Sequence, residues 1–132
     1  MEIVNTIDHS VGIIKIPSDG NCLVASLAHQ LDNSLTGSTS TYALRQRLNN
    51  HLRTHIETYS PYLQDATLDQ PHRYAHIKDW ERKTEAYLKD HAQNGFWLGL
   101  ETIIAASDIF NVSSEIHHEQ GRTDKISSRV LL

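Results

Sequence analysis

Apolar positions along this chain change period several times. Residues 11–16 (VGIIKI) are apolar and β-branched and stop at Pro17, which predicts a short strand running into a loop. Ser18, Asp19, Gly20 and Asn21 are turn residues, and Asn21 is suited to cap a helix. From Cys22 the period becomes helical. Leu23, Leu27 and Leu31 recur at every fourth position, with Val24 and Ala28 beside them, predicting a short helix that begins at the cysteine and buries that stripe. After a polar loop, Ser40 is placed to cap a second helix in which Leu44, Leu48, Leu52 and Ile56 share a face and which Pro61 ends. A third helix is expected over residues 77–92, with Trp80, Thr84, Tyr87, Leu88 and His91 together and Asn94 and Gly95 as its stop. A fourth runs from Leu100 to about Phe110, presenting Leu100, Ile103, Ile104 and Ser107. The period then drops to two. Val112, Ser114 and Ile116 alternate, HHEQG turns the chain, and Ile126, Ser128, Val130 and Leu132 alternate again. Strand, four helices and two strands make an α/β or α+β domain with its helices in the middle of the sequence. No internal repeat or low-complexity tract interrupts it.

Composition narrows the class. A length of 132 residues fits one domain, and 39% apolar with 21% charged residues is the balance of an ordinary folded chain. The formal charge is -4 and the basic residues are scattered, so no electrostatic footprint for a nucleic acid exists. The apolar runs fall far short of the roughly 18 to 20 residues that cross a bilayer. The first ten residues lack the basic and apolar regions of a signal peptide, so a cytoplasmic or nuclear address is expected, with neither membrane nor nucleic acid as partner.

Cys22 is the only cysteine, which excludes an internal disulfide and a cysteine-cluster zinc site. Two roles remain: a buried thiol that packs as a small hydrophobe, or a nucleophile. A thiol attacks as thiolate, and the first turn of a helix favours that charge through unpaired N–H groups and the helix dipole. Gly20 lets the backbone bend close to a bound carbonyl, so that N–H groups of the loop and of Cys22 can face an oxyanion. A strand-to-helix connection in which Asp19 or Asn21 caps and Cys22 merely packs fits the same residues.

Residues 16–31 (IPSDGNCLVASLAHQL) resemble the signature of the ovarian tumour (OTU) family of deubiquitinating cysteine proteases, in which an aspartate and a glycine precede the nucleophilic cysteine at a helix start. Tyr42, Ala43, Leu44 and Arg45 resemble that family's next helix. Residues 96–101 (FWLGLE) resemble its tryptophan–glycine segment and glutamate-bearing helix, and Ala105, Ala106, Ser107, Asn111 and Val112 the end of that helix and the strand leaving it. The resemblance implies an α+β, papain-like domain with a small β-sheet packed against several helices. It implies Cys22 as nucleophile, Asp19 as a residue conventionally counted with the catalytic set, Gly20 and Asn21 in the oxyanion loop, and Trp97 and Gly99 as structural braces. No metal or cofactor is implied. Val24 and Ala25 stand where the family often has an aromatic and a basic residue, and Leu98 where it often has a second glycine.

A cysteine protease needs a histidine to carry the thiol proton. The resemblance implies one on a strand after the last hairpin. Residues 127–132 resemble the strand leading toward it, so residues 1–132 are expected to form a single OTU-like domain lacking its C-terminal strand or strands. Among the nine histidines, His29 lies about 10 Å along the nucleophile's own helix, beyond reach, at 1.5 Å rise per residue. His117 and His118, beside a turn, are the candidates for a substitute base. The pairs His51 with His55 and His72 with His76 have a spacing that binds zinc on a helix but no evident third ligand. Two functions follow: cleavage of bonds after the C-terminus of ubiquitin or a ubiquitin-like protein through a Cys22 thioester, or an inactive module that binds such a protein. A small-substrate cysteine hydrolase and an inert packed thiol are further readings.

Overall fold

The backbone turns helical at Cys22, where the apolar period changes. The structure is a computed structural model and describes residues 2–5, 12–15, 20–31, 38–117, 121 and 123–126. Strands β1 (Glu2–Asn5) and β2 (Gly12–Lys15) form an antiparallel pair, in register from Glu2 with Lys15 to Asn5 with Gly12. Helices α1 (Cys22–Leu31), α2 (Ser38–Thr54), α3 (Ile56–Leu68), α4 (Pro71–Tyr74), α5 (Trp80–His91) and α6 (Leu100–Phe110) follow. Strands β3 (Ser114–His117) and β4 (Thr123–Ile126) close the order as a second antiparallel pair. The domain is α+β and mostly helical.

The core gathers around α2, which packs against α1, α3, α5 and α6. Leu44, Leu48 and Leu52 are buried along one face, as their spacing predicts. Tyr59 and Leu63 of α3, Tyr74 of α4, Tyr87 and Leu88 of α5 and Ile104, Ala105 and Ala106 of α6 complete the cluster, with Val24 and Ala28 entering from α1.

Four sequence expectations are corrected. In α1 the innermost residues are Val24 and Ala28, with Cys22 and Ser26, while Leu23 and Leu27 are half-buried. Small side chains at the contact let α1 lie close to α2, where leucines would hold it off. The second helix breaks at His55, so that Ile56 opens α3 and is 40% exposed, and Ser40 lies inside α2 instead of capping it. Pro61 sits within α3 and does not stop a helix. Its missing N–H forfeits one bond, to the carbonyl of Glu57, and both residues are exposed, so the loss falls on the solvent side. In α6 the buried face is Glu101, Thr102, Ile104, Ala105, Ala106 and Ser107, whereas Leu100 is 50% exposed. β1 has no counterpart in the sequence reading because four residues (EIVN) are too few to show a period.

The stops are local chemistry. The Asp79 carboxylate caps α5 by accepting the Glu81 N–H at 2.8 Å. Beyond α5, Gly95 takes a positive φ of 87°, and at the end of α6 Asn111 takes 50°, the left-handed conformation in which helices commonly terminate. The second halves of the expected last strand, Ser128, Val130 and Leu132, lie outside the described residues.

Candidate functional site

Cys22 is the first residue of α1, and the Asn21 carbonyl accepts the first intrahelical bond, from Ala25 N–H at 2.9 Å. Asn21 thus occupies the N-cap position its residue type predicts. Its side-chain oxygen Oδ1 accepts from Arg45 Nη2 at 2.9 Å and from Gly95 N–H at 2.9 Å. Gly20 is buried against the Gly95 backbone so closely that a Cβ would fall 1.4 Å from the Gly95 carbonyl oxygen. Only glycine fits there. Cys22 is a free thiol, 7% exposed. Asp19 lies outside the described residues, so the structure brings together Gly20, Asn21 and Cys22 of the predicted set.

Arg45 holds this loop from beneath. The side chain is fully buried, and its guanidinium donates from Nη2 to the Gly20 carbonyl at 3.0 Å and to Asn21, and from Nη1 to the His91 carbonyl at 2.9 Å. Burial lowers its pKa from the ordinary value.

Behind Arg45, a polar chain crosses from α2 through α5 to α6. Arg53 Nε donates to Asn49 Oδ1 at 3.0 Å, and Asn49 Nδ2 reaches both the Leu88 carbonyl at 2.8 Å and His91 Nδ1 at 3.1 Å. Since the amide donates, Nδ1 accepts, and the His91 proton sits on Nε2, which donates to Thr102 Oγ1 at 2.9 Å. Thr102 donates in turn to Glu101 Oε1 at 3.4 Å, which also accepts from the Tyr87 hydroxyl and from Gly99 N–H at 3.3 Å. Burial, then the positive charges of Arg45 and Arg53, push His91 down to about 3, so the imidazole is neutral. Burial raises the Glu101 carboxyl, and the donors on it, Tyr87 first, limit the rise. The Tyr87 phenol is raised by burial and then by the Glu101 charge.

His91 is the last residue of α5 and is fully buried. His51 Nε2 meets the Tyr59 hydroxyl at 2.8 Å, and the His55 ring lies 4.4 Å from that of His51 between centroids. His72 and His76 are exposed, and among the described residues no group of three His, Cys, Asp or Glu side chains could hold a metal ion. His117 ends β3; its side chain and the whole of His118 lie outside the described residues.

Trp97 is corrected from brace to surface: it is 57% exposed. It stands between two open grooves of about 410 and 600 Å³, one lined by Arg73, Asp90 and Gly95, the other by Tyr62, Leu68 and Glu101; Cys22 lines neither. Gly99 does carry a packing role, since a Cβ there would lie 2.7 Å from Glu101 Oε2. Arg45, Asn49 and Glu101 were not singled out as site residues from the sequence. Their signal is positional: Arg45 and Asn49 each follow a buried leucine, on the shoulder of the α2 stripe.

The family model described as OTU-like cysteine protease matches residues 17–130. A curated protein named ubiquitin thioesterase otu2, from Schizosaccharomyces pombe, is 36% identical over 52 residues, a stretch that covers 39% of this chain and 17% of the yeast protein.

Proposed function

Because the chain belongs to the family of OTU-like cysteine proteases, we propose that it is a thiol-dependent ubiquitin hydrolase, a single papain-like domain with Cys22 as nucleophile. The observation that carries this reading is the placement of Cys22 at the first residue of α1, directly after a loop whose backbone is pinned by Arg45 and Gly95. The name of the fission-yeast relative, a ubiquitin thioesterase, supports the substrate class.

In this mechanism the general base takes the Cys22 thiol proton and Sγ adds to the carbonyl carbon of the ubiquitin C-terminal glycine. The carbonyl π pair moves to oxygen, and N–H groups of the Gly20–Cys22 loop receive that charge. Collapse breaks the C–N bond, the departing amine takes a proton from the general base, and water hydrolyses the thioester. We assign Asp19 to shaping the loop with Gly20 and Asn21; residues 127–132, which follow the β3–β4 hairpin, hold no histidine, and His117 and His118 are the candidates for the base within this chain.

The 7% exposure of Cys22 favours a second reading, a module that binds ubiquitin or a ubiquitin-like protein without cleaving it. One experiment separates them. The protein is incubated with ubiquitin carrying a C-terminal electrophile, and the adduct is mapped by mass spectrometry. An adduct at Cys22 that disappears in Cys22→Ala supports the enzyme. Saturable binding of labelled ubiquitin with no adduct supports the module, and absence of both overturns the two readings together.

A further inference from the structure

Arg45 is a buried cation held by neutral oxygens. Among the described residues its acceptors are the Gly20 carbonyl, Asn21 Oδ1 and the His91 carbonyl, none of them a carboxylate. Burying an ion in this way is costly, and a well-packed apolar side chain of similar volume often serves stability as well or better. Part of the missing negative charge comes from the end of α5: His91 is its last residue, and carbonyls at a helix C-terminus favour a cation. What an apolar residue could not supply is the fork. Guanidinium nitrogens in one rigid plane reach α5 on one side and two oxygens of the Gly20–Asn21 loop on the other.

The bond to the Gly20 carbonyl has a directional consequence. No peptide bond among the described residues is cis, and in a planar trans peptide the C=O and the next N–H point in opposite directions. Fixing the Gly20 carbonyl on Arg45 therefore fixes the Asn21 N–H on the opposite face of the loop. Nη2 at the same time clamps Asn21 Oδ1, which also accepts from Gly95 N–H, and Gly95 closes against Gly20. The Gly20–Asn21 peptide is thereby denied a flip. We infer that Arg45 is a positioning residue for catalysis: its fork sets the Gly20–Asn21 peptide plane and so forms the oxyanion loop before substrate arrives. This rests on the reading of Cys22 as nucleophile.

The test uses two reagents with different demands. Iodoacetamide alkylates a thiolate by displacing iodide, a step that creates no oxyanion. A ubiquitin C-terminal aldehyde adds to Cys22 with formation of the S–C bond while the C=O pair moves to oxygen, which becomes an oxyanion that only a formed loop stabilises. Arg45→Lys keeps the buried charge and most of the stem but lacks the fork. Its expected behaviour is an unchanged alkylation rate within about twofold, a kcat lower by about 100-fold with KM within about threefold, and aldehyde affinity weakened in proportion to kcat, on the scale of a lost oxyanion-hole donor. Circular dichroism verifies that the variant is folded. If it is not, Asn21→Ala removes one acceptor at the half-buried edge, leaves Arg45 in place, and is expected to show the same split with a smaller loss. Turnover and aldehyde affinity at the wild-type level in a folded variant would overturn the inference, as would alkylation falling in step with kcat. A wild-type protein that never reacts with the aldehyde at Cys22 would overturn the nucleophile reading and this inference with it.

Discussion

The Tyr87 hydroxyl donates to Glu101 Oε1 where α5 meets α6, and both side chains are at most 2% exposed. A carboxyl in that position is raised by burial, which means that its ionised form is less stable folded than unfolded. Stability from this group is therefore greatest at low pH and declines as pH rises through the folded pKa. The phenol opposes that decline by donating to the charged form.

Tyr87→Phe is accordingly expected to cost about 1.5 to 3 kcal/mol where Glu101 is ionised, the range for a hydrogen bond to a charged group, and about 1 kcal/mol where Glu101 is protonated. Urea denaturation at pH 5 and pH 8 reads the difference. Equal losses at the two pH values would show that the carboxyl does not ionise between them.

His91 has the opposite sign. Its folded pKa of about 3 lies below an unfolded value near 6.5, so the unfolded chain binds the extra proton first. The stability it contributes is complete above pH 6.5 and is lost as pH falls from there toward 3. Between pH 6.5 and 5 the loss amounts to about 2 kcal/mol, at about 1.4 kcal/mol per pH unit. Because Glu101 slopes the other way, the measurement is the difference between wild type and His91→Gln, whose unfolding free energies should converge as the solution is acidified. Parallel curves would contradict a neutral buried imidazole.

These two residues also show what the sequence made legible and what it hid. Thr84, Tyr87, Leu88 and His91 of the expected α5 stripe are buried as their spacing predicts, because one face of a single helix meets the core, whereas Trp80, expected with them, is 42% exposed at the helix start. Leu44, Leu48 and Leu52 obey the same rule. In α6 that reasoning favoured Leu100 and Ile103 over Glu101 and Thr102, since an isolated polar residue is ordinarily turned to solvent. Tyr87, which donates to Glu101, and His91, which bonds to Thr102, come from a different helix and give no periodic signal in α6. Arg45 was hidden for the same reason: its acceptors are backbone carbonyls and one amide, 24 to 46 residues away. The nucleophile candidate was legible because turn residues, a single cysteine and a helical period adjoin in one short stretch.

Gly20→Ala and Gly99→Ala should separate backbone from side-chain crowding. At position 20 the new methyl group would fall on a backbone oxygen, 1.4 Å away, and one of the two loops must move. At position 99 it meets the end of the Glu101 side chain at 2.7 Å, which can turn aside at the expense of its hydrogen bonds. Thermal melts should therefore show a large loss of stability, or no folded protein, for Gly20→Ala and a smaller loss for Gly99→Ala. The reverse order would contradict the close approach of Gly20 to Gly95.

Trp97 tests whether the tryptophan–glycine segment braces the fold or faces outward. The ring is 57% exposed between the two grooves, and the other tryptophan, Trp80, is 42% exposed with Lys83 Nζ 4.5 Å from its ring centroid. Neighbouring Phe96 makes the inward contact, edge-on to Tyr87 at 5.9 Å between centroids and beneath the Arg73 guanidinium at 5.2 Å. Truncating an exposed side chain typically changes stability by no more than about 0.5 kcal/mol, whereas removing a packed phenylalanine costs about 3 kcal/mol or more when fully buried. Phe96 is only partly buried, so its loss should fall between those limits. Trp97→Ala should accordingly melt close to wild type and Phe96→Ala clearly below it. With both indoles about half exposed, tryptophan emission should be red-shifted in the native protein, should move little on unfolding, and should be quenched readily by acrylamide. A blue-shifted native spectrum, or a Trp97→Ala variant less stable than Phe96→Ala, would return the ring to the interior and restore its bracing role.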